Sequence, residues 1–396
     1  MILKRVTALL TIVMLILSGC GKEQPKEQKR ESARDIQKRE IAEDFEQLMD
    51  GTRELYKKAA ESGRLDSLEY QEQIIYYLGE KGYAAVDIKA QIDMVHPEQV
   101  EAYCEKAKRG EAAEVIIFSV MEEGSVARYE LHTDGERMNA IVSSVRWIEN
   151  RPCMSYYHEF LVHSWKYTEK GYFFIEEYHP PGFDGAPGET GFRVKPIDQR
   201  LRELNRKYVL PIGYQLNNML ITNWSEADYS KLDFYDLYEL QYSKLYEEEL
   251  PYAKEDGAEY QIPKEEFERV LQTLLPIESE QIQEHAVYDQ ETQTYRYRPR
   301  GIYDSEFPYG PYPEVVSYEE VGDGTLKFTI DAVWERKMLD LAFRSELVVK
   351  PLEDGNILYI SNTVLSSEEN EPKWYMPRLT EEQWDFGQSS AAVYSN

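Results

Sequence analysis

Cysteine is almost missing from this 396-residue chain, which holds three, at positions 20, 104 and 153. They have no two-residue spacing, which argues against a thioredoxin-like site. Histidine is nearly as sparse, at six residues, and only His158 and His163 stand close together. A metalloprotease helix carries its histidines four apart so that both rings face one ion. Here the gap is five, and YYHEFLVHSW alternates like a strand, which sends positions five apart to opposite faces. No metal is therefore expected at His158, Glu159 and His163. There is also no G-x-S-x-G elbow, no phosphate loop, no Gly-rich dinucleotide fingerprint and no spaced calcium loop. No cofactor is expected.

Positive charge is in short supply too. Lys and Arg total 45 against 73 Asp and Glu, a net charge of −28 at pH 7. Such a body is repelled by phosphate backbones, so nucleic acid is not an expected partner. Acids are so numerous that pairs such as Glu176-Glu177 arise by composition alone, and no glycosidase dyad can be picked out. Catalytic residues are accordingly none, and enzyme activity stays open. What is abundant is tyrosine, at 31 residues. Its flat apolar ring and polar tip suit strands and contact surfaces, including surfaces that bind sugars or proteins.

Long apolar runs are limited to Val6–Leu17, well below the roughly 20 residues that span a bilayer as a helix. Lys4 and Arg5 precede the run, and Leu17-Ser18-Gly19-Cys20 closes it. A short charged start, an apolar core and small residues make a secretory signal. The cysteine-terminated ending resembles the lipobox of bacterial lipoproteins. That resemblance implies a signal peptide over 1–19, cleavage before Cys20, a diacylglycerol on the Cys20 thiol, and attachment to the outer face of the cell membrane by acyl chains. Residues 20–35 then form the lipidated N-terminus and a flexible tether. Residues 21–35 are almost devoid of apolar side chains and reach ~50 Å when extended. Cys104 and Cys153 remain, either as one disulfide or as two buried thiols.

The body reads as α+β in two domains, each with helices packed on a mainly antiparallel meander sheet. In the first domain, 36–180, a helical period starts at Ile36 and runs through Tyr56. A helix over 66–80, a strand over 83–88 and a helix over 97–108 follow. Strands over 115–121, 126–132, 138–148, 155–167 and 172–178 complete it, with helices expected on one sheet face. This element order resembles a nuclear-transport-factor-2-like cone. Residues 181–196, dense in Gly and Pro, are expected to be a linker. The second domain, 197–378, has helices at 197–207, 231–247 and 263–275. Its strands are at 286–289, 294–298, 325–334, 342–350 and 356–363. A partly disordered tail over 379–396 ends the chain.

The stretches YVLPIGYQLNNMLITNW (208–224), YQIPKEEFERVLQTLLPI (260–277), TQTYRYRPRG (292–301) and PYPEVVSYEEVGDGTLKFTIDAVW (311–334) are similar to segments of uncharacterised lipoproteins from low-GC Gram-positive, clostridial-type bacteria. The resemblance supports the lipoprotein class and transfers no catalytic residue. The expectation is a membrane-anchored extracytoplasmic protein that binds a cell-envelope protein or glycan, with a ligand pocket beneath the helices of the first domain. The alternative is an extracytoplasmic enzyme acting on wall polymer or glycan through a carboxylate pair. The oligomeric state is not legible.

Overall fold

The computed structural model describes residues 32–183, 185–253, 258–301, 304–305, 309–365 and 374–380. The signal segment, Cys20, nearly all of the tether and the tail after Thr380 lie outside the described residues.

The chain becomes helical three residues before Ile36. Ser32 caps α1 (Ala33–Asp50) by accepting from the Asp35 amide, and the Asp35 carboxylate reaches back to the Ser32 amide. This reciprocal cap uses two otherwise unpaired amides and shortens the expected tether. The single helical period expected through Tyr56 breaks at Gly51 into α1 and α2 (Arg53–Glu61). The Gly51 amide bonds back to Leu48 and Met49, and a β-carbon at this position would overlap the Tyr77 hydroxyl. After α3 (Leu68–Glu80), β1 (Ala84–Asp87) and α4 (Pro97–Lys108), the period changes to two. Five long strands follow: β2 (Ala113–Val120), β3 (Val126–Thr133), β4 (Met138–Ile148), β5 (Arg151–Tyr167) and β6 (Tyr172–Glu177).

The Gly/Pro-rich segment is not simply a linker. It contributes β7 (Glu189–Arg193), which pairs antiparallel with β6 and completes a seven-stranded sheet in the order β1 to β7. Only the β1–β2 pair is parallel. A parallel pair needs a crossover, and α4 supplies it. That requirement places helices on both sheet faces, not on one as expected. Ile74 and Leu78 of α3 share a cluster with Phe118 and Val120, whereas Val100, Tyr103 and Cys104 of α4 share one with Val115 and Ile117. Alternate β2 side chains thus enter different cores, which is why Val115–Phe118 is an unbroken apolar run.

The second domain opens with α5 (Gln199–Leu204), continued by a π-helical turn over Asn205–Val209, and the short strand β8 (Trp224–Ser225). Next come α6 (Phe234–Tyr246), β9 (Tyr260–Pro263), α7 (Lys264–Gln272), α8 (Ser279–His285), β10 (Tyr288–Asp289) and β11 (Thr294–Tyr297). Four long strands end the fold: β12 (Tyr312–Gly322), β13 (Thr325–Trp334), β14 (Leu339–Pro351) and β15 (Ile357–Leu365). They form an antiparallel meander with β8 on its far edge, and β10-β11-β9 make a separate small sheet. The chain is therefore α+β, with mainly antiparallel sheets. Leu237, Phe267, Val270 and Leu271 from α6 and α7 share one core with Phe328, Ile330 and Leu347 of the meander.

The two domains meet across a mixed seam. Tyr172, Phe174 and Val333 form a small apolar cluster there. Around it, the Tyr172 hydroxyl donates to Glu314, Arg206 donates to Gln91 at 2.9 Å, and Lys170 donates to the Asp340 carbonyl at 2.9 Å. Lys170 also pairs with Asp331, which is fully buried and held by two bonds from Arg344.

Candidate functional site: the cleft between the domains

One wall of the inter-domain cleft begins with Asp87. Its buried carboxylate accepts from the amides of Lys89 (3.1 Å), Gln91 (2.9 Å) and Ile92 (2.7 Å), which winds the chain after β1 into a tight loop. Burial raises the Asp87 pKa, and the three amides oppose that rise. The loop presents Ile88, Lys89 and Ala90 to the cleft, and Ala90 has a left-handed φ of 53°. Ser119, Tyr129 and Tyr172 extend this wall from β2, β3 and β6, and Glu189, Thr190 and Gly191 of β7 carry it on. Gly191 is required by space. A β-carbon would lie 2.7 Å from Phe174 Cε1 and 3.1 Å from Glu335 Cγ.

The opposite wall comes from the second domain. Tyr309, Gly310 and Tyr312 approach along the start of β12, and Trp334, Glu335 and Arg336 turn the corner between β13 and β14. That corner is tight, with Met338 at a left-handed φ of 48°. Trp334 is fixed by donation from its indole nitrogen to the Tyr309 carbonyl at 3.1 Å and by an edge-on contact with Trp374, ring centres 4.9 Å apart. Between the walls lies a cavity of about 390 Å³, within the range that small ligands occupy.

Glu335 is the residue with unusual chemistry here. Its carboxyl makes no hydrogen bond or ion pair with the described residues. The residue is solvent-exposed where it lines the cavity, and the protein packed around it raises the pKa of its carboxyl. Its neighbour Tyr129 is pushed up to about 12, first by burial, with the charge of Glu335 adding to the shift against a hydrogen bond to Thr190. Lys89 is engaged with Glu122.

The pocket expected beneath the first domain's helices exists only as an open depression of about 430 Å³ beside α1 and α3. Two of its polar groups turn to the protein: the Tyr77 hydroxyl donates to the Leu48 carbonyl at 2.8 Å, and Arg128 pairs with Glu130 at 3.3 Å. The better-formed site lies between the domains, because β7 and the β13–β14 corner meet there.

The histidines of β5 part company. His158 Nε2 lies 2.7 Å from Glu177 Oε1, Glu159 accepts from Arg34 at 3.2 Å, and His163 packs against Tyr178 with ring centres 5.3 Å apart. Among the described residues, no group of three or more His, Cys, Asp or Glu is placed to hold a metal ion. Also among them, no helix is long and apolar enough to cross a membrane. Cys104 and Cys153 are free thiols, the first buried and the second half-buried. Nothing in the sequence singled out Glu335. A sharper signal was the run Asp331-Ala332-Val333-Trp334-Glu335-Arg336, where an apolar strand ends on an aromatic and a charge pair.

No curated protein and no solved structure matches the chain. The chain belongs to a family of unknown function, DUF6070, whose profile matches residues 38–378. The match runs from α1 to Arg378, so it takes in both walls of the cleft.

Proposed function

We propose that this member of a family of unknown function is a lipid-anchored extracytoplasmic binding protein whose inter-domain cleft takes a hydroxyl-rich small ligand, such as a segment of cell-envelope glycan. The observation that carries the reading is Glu335, an unpartnered carboxyl beside Trp334 in a cavity lined by Tyr129, Tyr172, Tyr309 and Tyr312. Aromatic faces stack on the apolar faces of sugar rings, while a carboxyl able to donate or accept can serve their hydroxyls. The anchor rests on the Leu17-Ser18-Gly19-Cys20 ending and the tether that follows.

Two measurements test this reading. Calorimetric titration of the full-length chain with defined wall-glycan fragments should give saturable binding that Trp334→Phe or Glu335→Gln weakens about tenfold. Absence of binding across such fragments rejects the cleft as a glycan site. Separately, mass spectrometry of the native protein should find a lipid adduct on an N-terminal Cys20, and Cys20→Ala should release the protein from membranes.

A second reading is favoured by one feature. The protein packed around Glu335 raises its pKa, and Glu189 lines the same cavity. A protonated acid and a second carboxylate are the groups a glycosidase requires. Under this reading, Glu335→Gln abolishes release of reducing ends from wall glycan while leaving glycan affinity in place. No turnover by the unsubstituted protein removes it.

A further inference from the structure

The sheet edges narrow the ligand chemistry, on the premise that the cleft is the glycan site proposed above. β7 ends the seven-stranded sheet, and its Glu189, Thr190 and Gly191 line the cavity. The Glu177 amide donates to the Gly188 carbonyl at 2.9 Å, and the Val194 amide donates to the Gly171 carbonyl at 2.8 Å. These two bonds fix the phase of the β6–β7 ladder, because bonded and unbonded positions alternate in an antiparallel pair. Gly188, Thr190 and Phe192 therefore bond to β6, while Glu189 and Gly191 turn their amides and carbonyls away from it. Among the described residues, no group bonds to these outward amides and carbonyls.

The other borders of the two large sheets are closed or blunted by the chain itself. Ala85 of β1 exchanges backbone bonds with Val95, and Ser225 of β8 does so with Asp228. Along β12, the Asn205 side chain donates to the Pro313 carbonyl at 2.9 Å, and farther on come two breaks in register and the exposed acids Glu319 and Glu320. Irregularity and charge blunt an edge against pairing. Thr190 and Gly191 have neither, and they border a space of about 390 Å³. Outward groups that recur every second residue match the repeat of an extended peptide, which joins a sheet as an added strand. A saccharide has no such repeat. We infer that the cleft takes a glycan bearing a short peptide branch, with the branch extended along β7 and hydrogen-bonded to the backbone of Glu189 and Gly191.

The test uses the full-length chain in detergent and an N-acetylglucosamine trisaccharide, with and without a trialanine branch. The branched form should bind about tenfold more tightly. Single N-methylation along the branch should then cost about tenfold at alternate amides and nothing detectable at those between, because only every second amide faces β7. On the protein side, Glu189→Pro removes an outward amide that the β6 ladder does not use. It should bind the branched form about tenfold more weakly than Glu189→Ala does. Should Glu189→Pro fail to fold, the N-methyl series on the unsubstituted chain still decides. Equal affinity of the branched and plain trisaccharides overturns the peptide inference while the cleft still binds sugar. Equal loss at every methylated amide, or loss at none, overturns pairing with β7, and so does equal binding by folded Glu189→Pro and Glu189→Ala. Failure of both trisaccharides to bind overturns the glycan-binding reading and this inference with it.

Discussion

The Tyr172 hydroxyl donates to Glu314 Oε2 at 2.6 Å, joining residues 142 positions apart across the seam between the domains. Both side chains are buried, and the nearest cation is Arg193, 4.0 Å from the same oxygen. Burial, followed by the charge of Glu314, drives the Tyr172 pKa well above its ordinary value, so the tyrosine stays protonated and donating. Tyr172→Phe keeps the ring stacked on Phe174 but strands the carboxylate. A hydrogen bond to a buried charge is worth about 1.5–3 kcal/mol. Urea unfolding of Tyr172→Phe should show a loss of that size. An unchanged midpoint would mean that the seam does not depend on this contact.

A second buried network ties down the segment carrying Trp374 to Thr380. Arg378 donates to Asp236 at 2.8 Å, pairs with Glu239 and lies 3.4 Å from Asp233, while Arg300 grips Asp236 through two nitrogens at 2.9 and 2.6 Å. Removing one member of a buried ion pair leaves the other charge uncompensated and costs about 3–5 kcal/mol. Arg378→Ala should reach that range in denaturant unfolding. Because Trp374 in the same segment packs on Trp334, ligand affinity at the cleft should fall in parallel.

Asp233 gives the network a pH signature. Burial and then the neighbouring Asp236 carboxylate raise its pKa to about 6, against the pull of Arg378. The folded state therefore binds more protons than the unfolded chain between about pH 4 and 6. Stability from this group is complete below pH 4 and is lost as pH rises through 6, by up to about 3 kcal/mol. Asp233 also caps α6 by accepting from the Tyr235 and Asp236 amides, a role asparagine can fill. Asp233→Asn should thus flatten the stability profile between pH 4 and 6 without melting α6. A profile that keeps its slope would place the proton uptake on another group.

These contacts show where sequence reading succeeds and where it stops. Met138–Ile148, Pro97–Lys108 and Thr325–Trp334 were legible because a clean period is bounded by Gly, Pro or Asp-Gly. β12 was missed as a strand, although YPEVVSYEEVG is extended throughout, because its outer half is exposed and lacks a repeating apolar face. β7 was hidden by its composition: the glycine that makes it resemble a loop is the residue that fits against Phe174. Glu335 was invisible for a different reason. Its solitude arises only when two distant segments close around it, and among 73 acids no local pattern marks it.

Gly191 provides a direct probe of that closure. Its backbone is not left-handed, so alanine meets no conformational barrier there, only a crowded space. The added methyl would press on the fully buried Phe174 and on the Glu335 side chain of the β13–β14 corner. Overpacking of this kind costs about 1–3 kcal/mol. Gly191→Ala should lower thermal stability by that amount and weaken ligand binding at the cleft. Full stability with full binding would show that β7 and the β13–β14 corner can separate freely.

The thiols offer a test that separates the first domain's interior from its surface. Cys104 lies on α4 within the core, and burial pushes its pKa up to about 12, so almost none of it is thiolate at neutral pH. Cys153 is only half-buried, on β5. Reactivity follows the thiolate and its exposure. Maleimide labelling of the native protein, read by peptide mass spectrometry, should therefore mark Cys153 within minutes, with Cys104 reacting only when the domain unfolds. A disulfide between the two would block both sites until reduction.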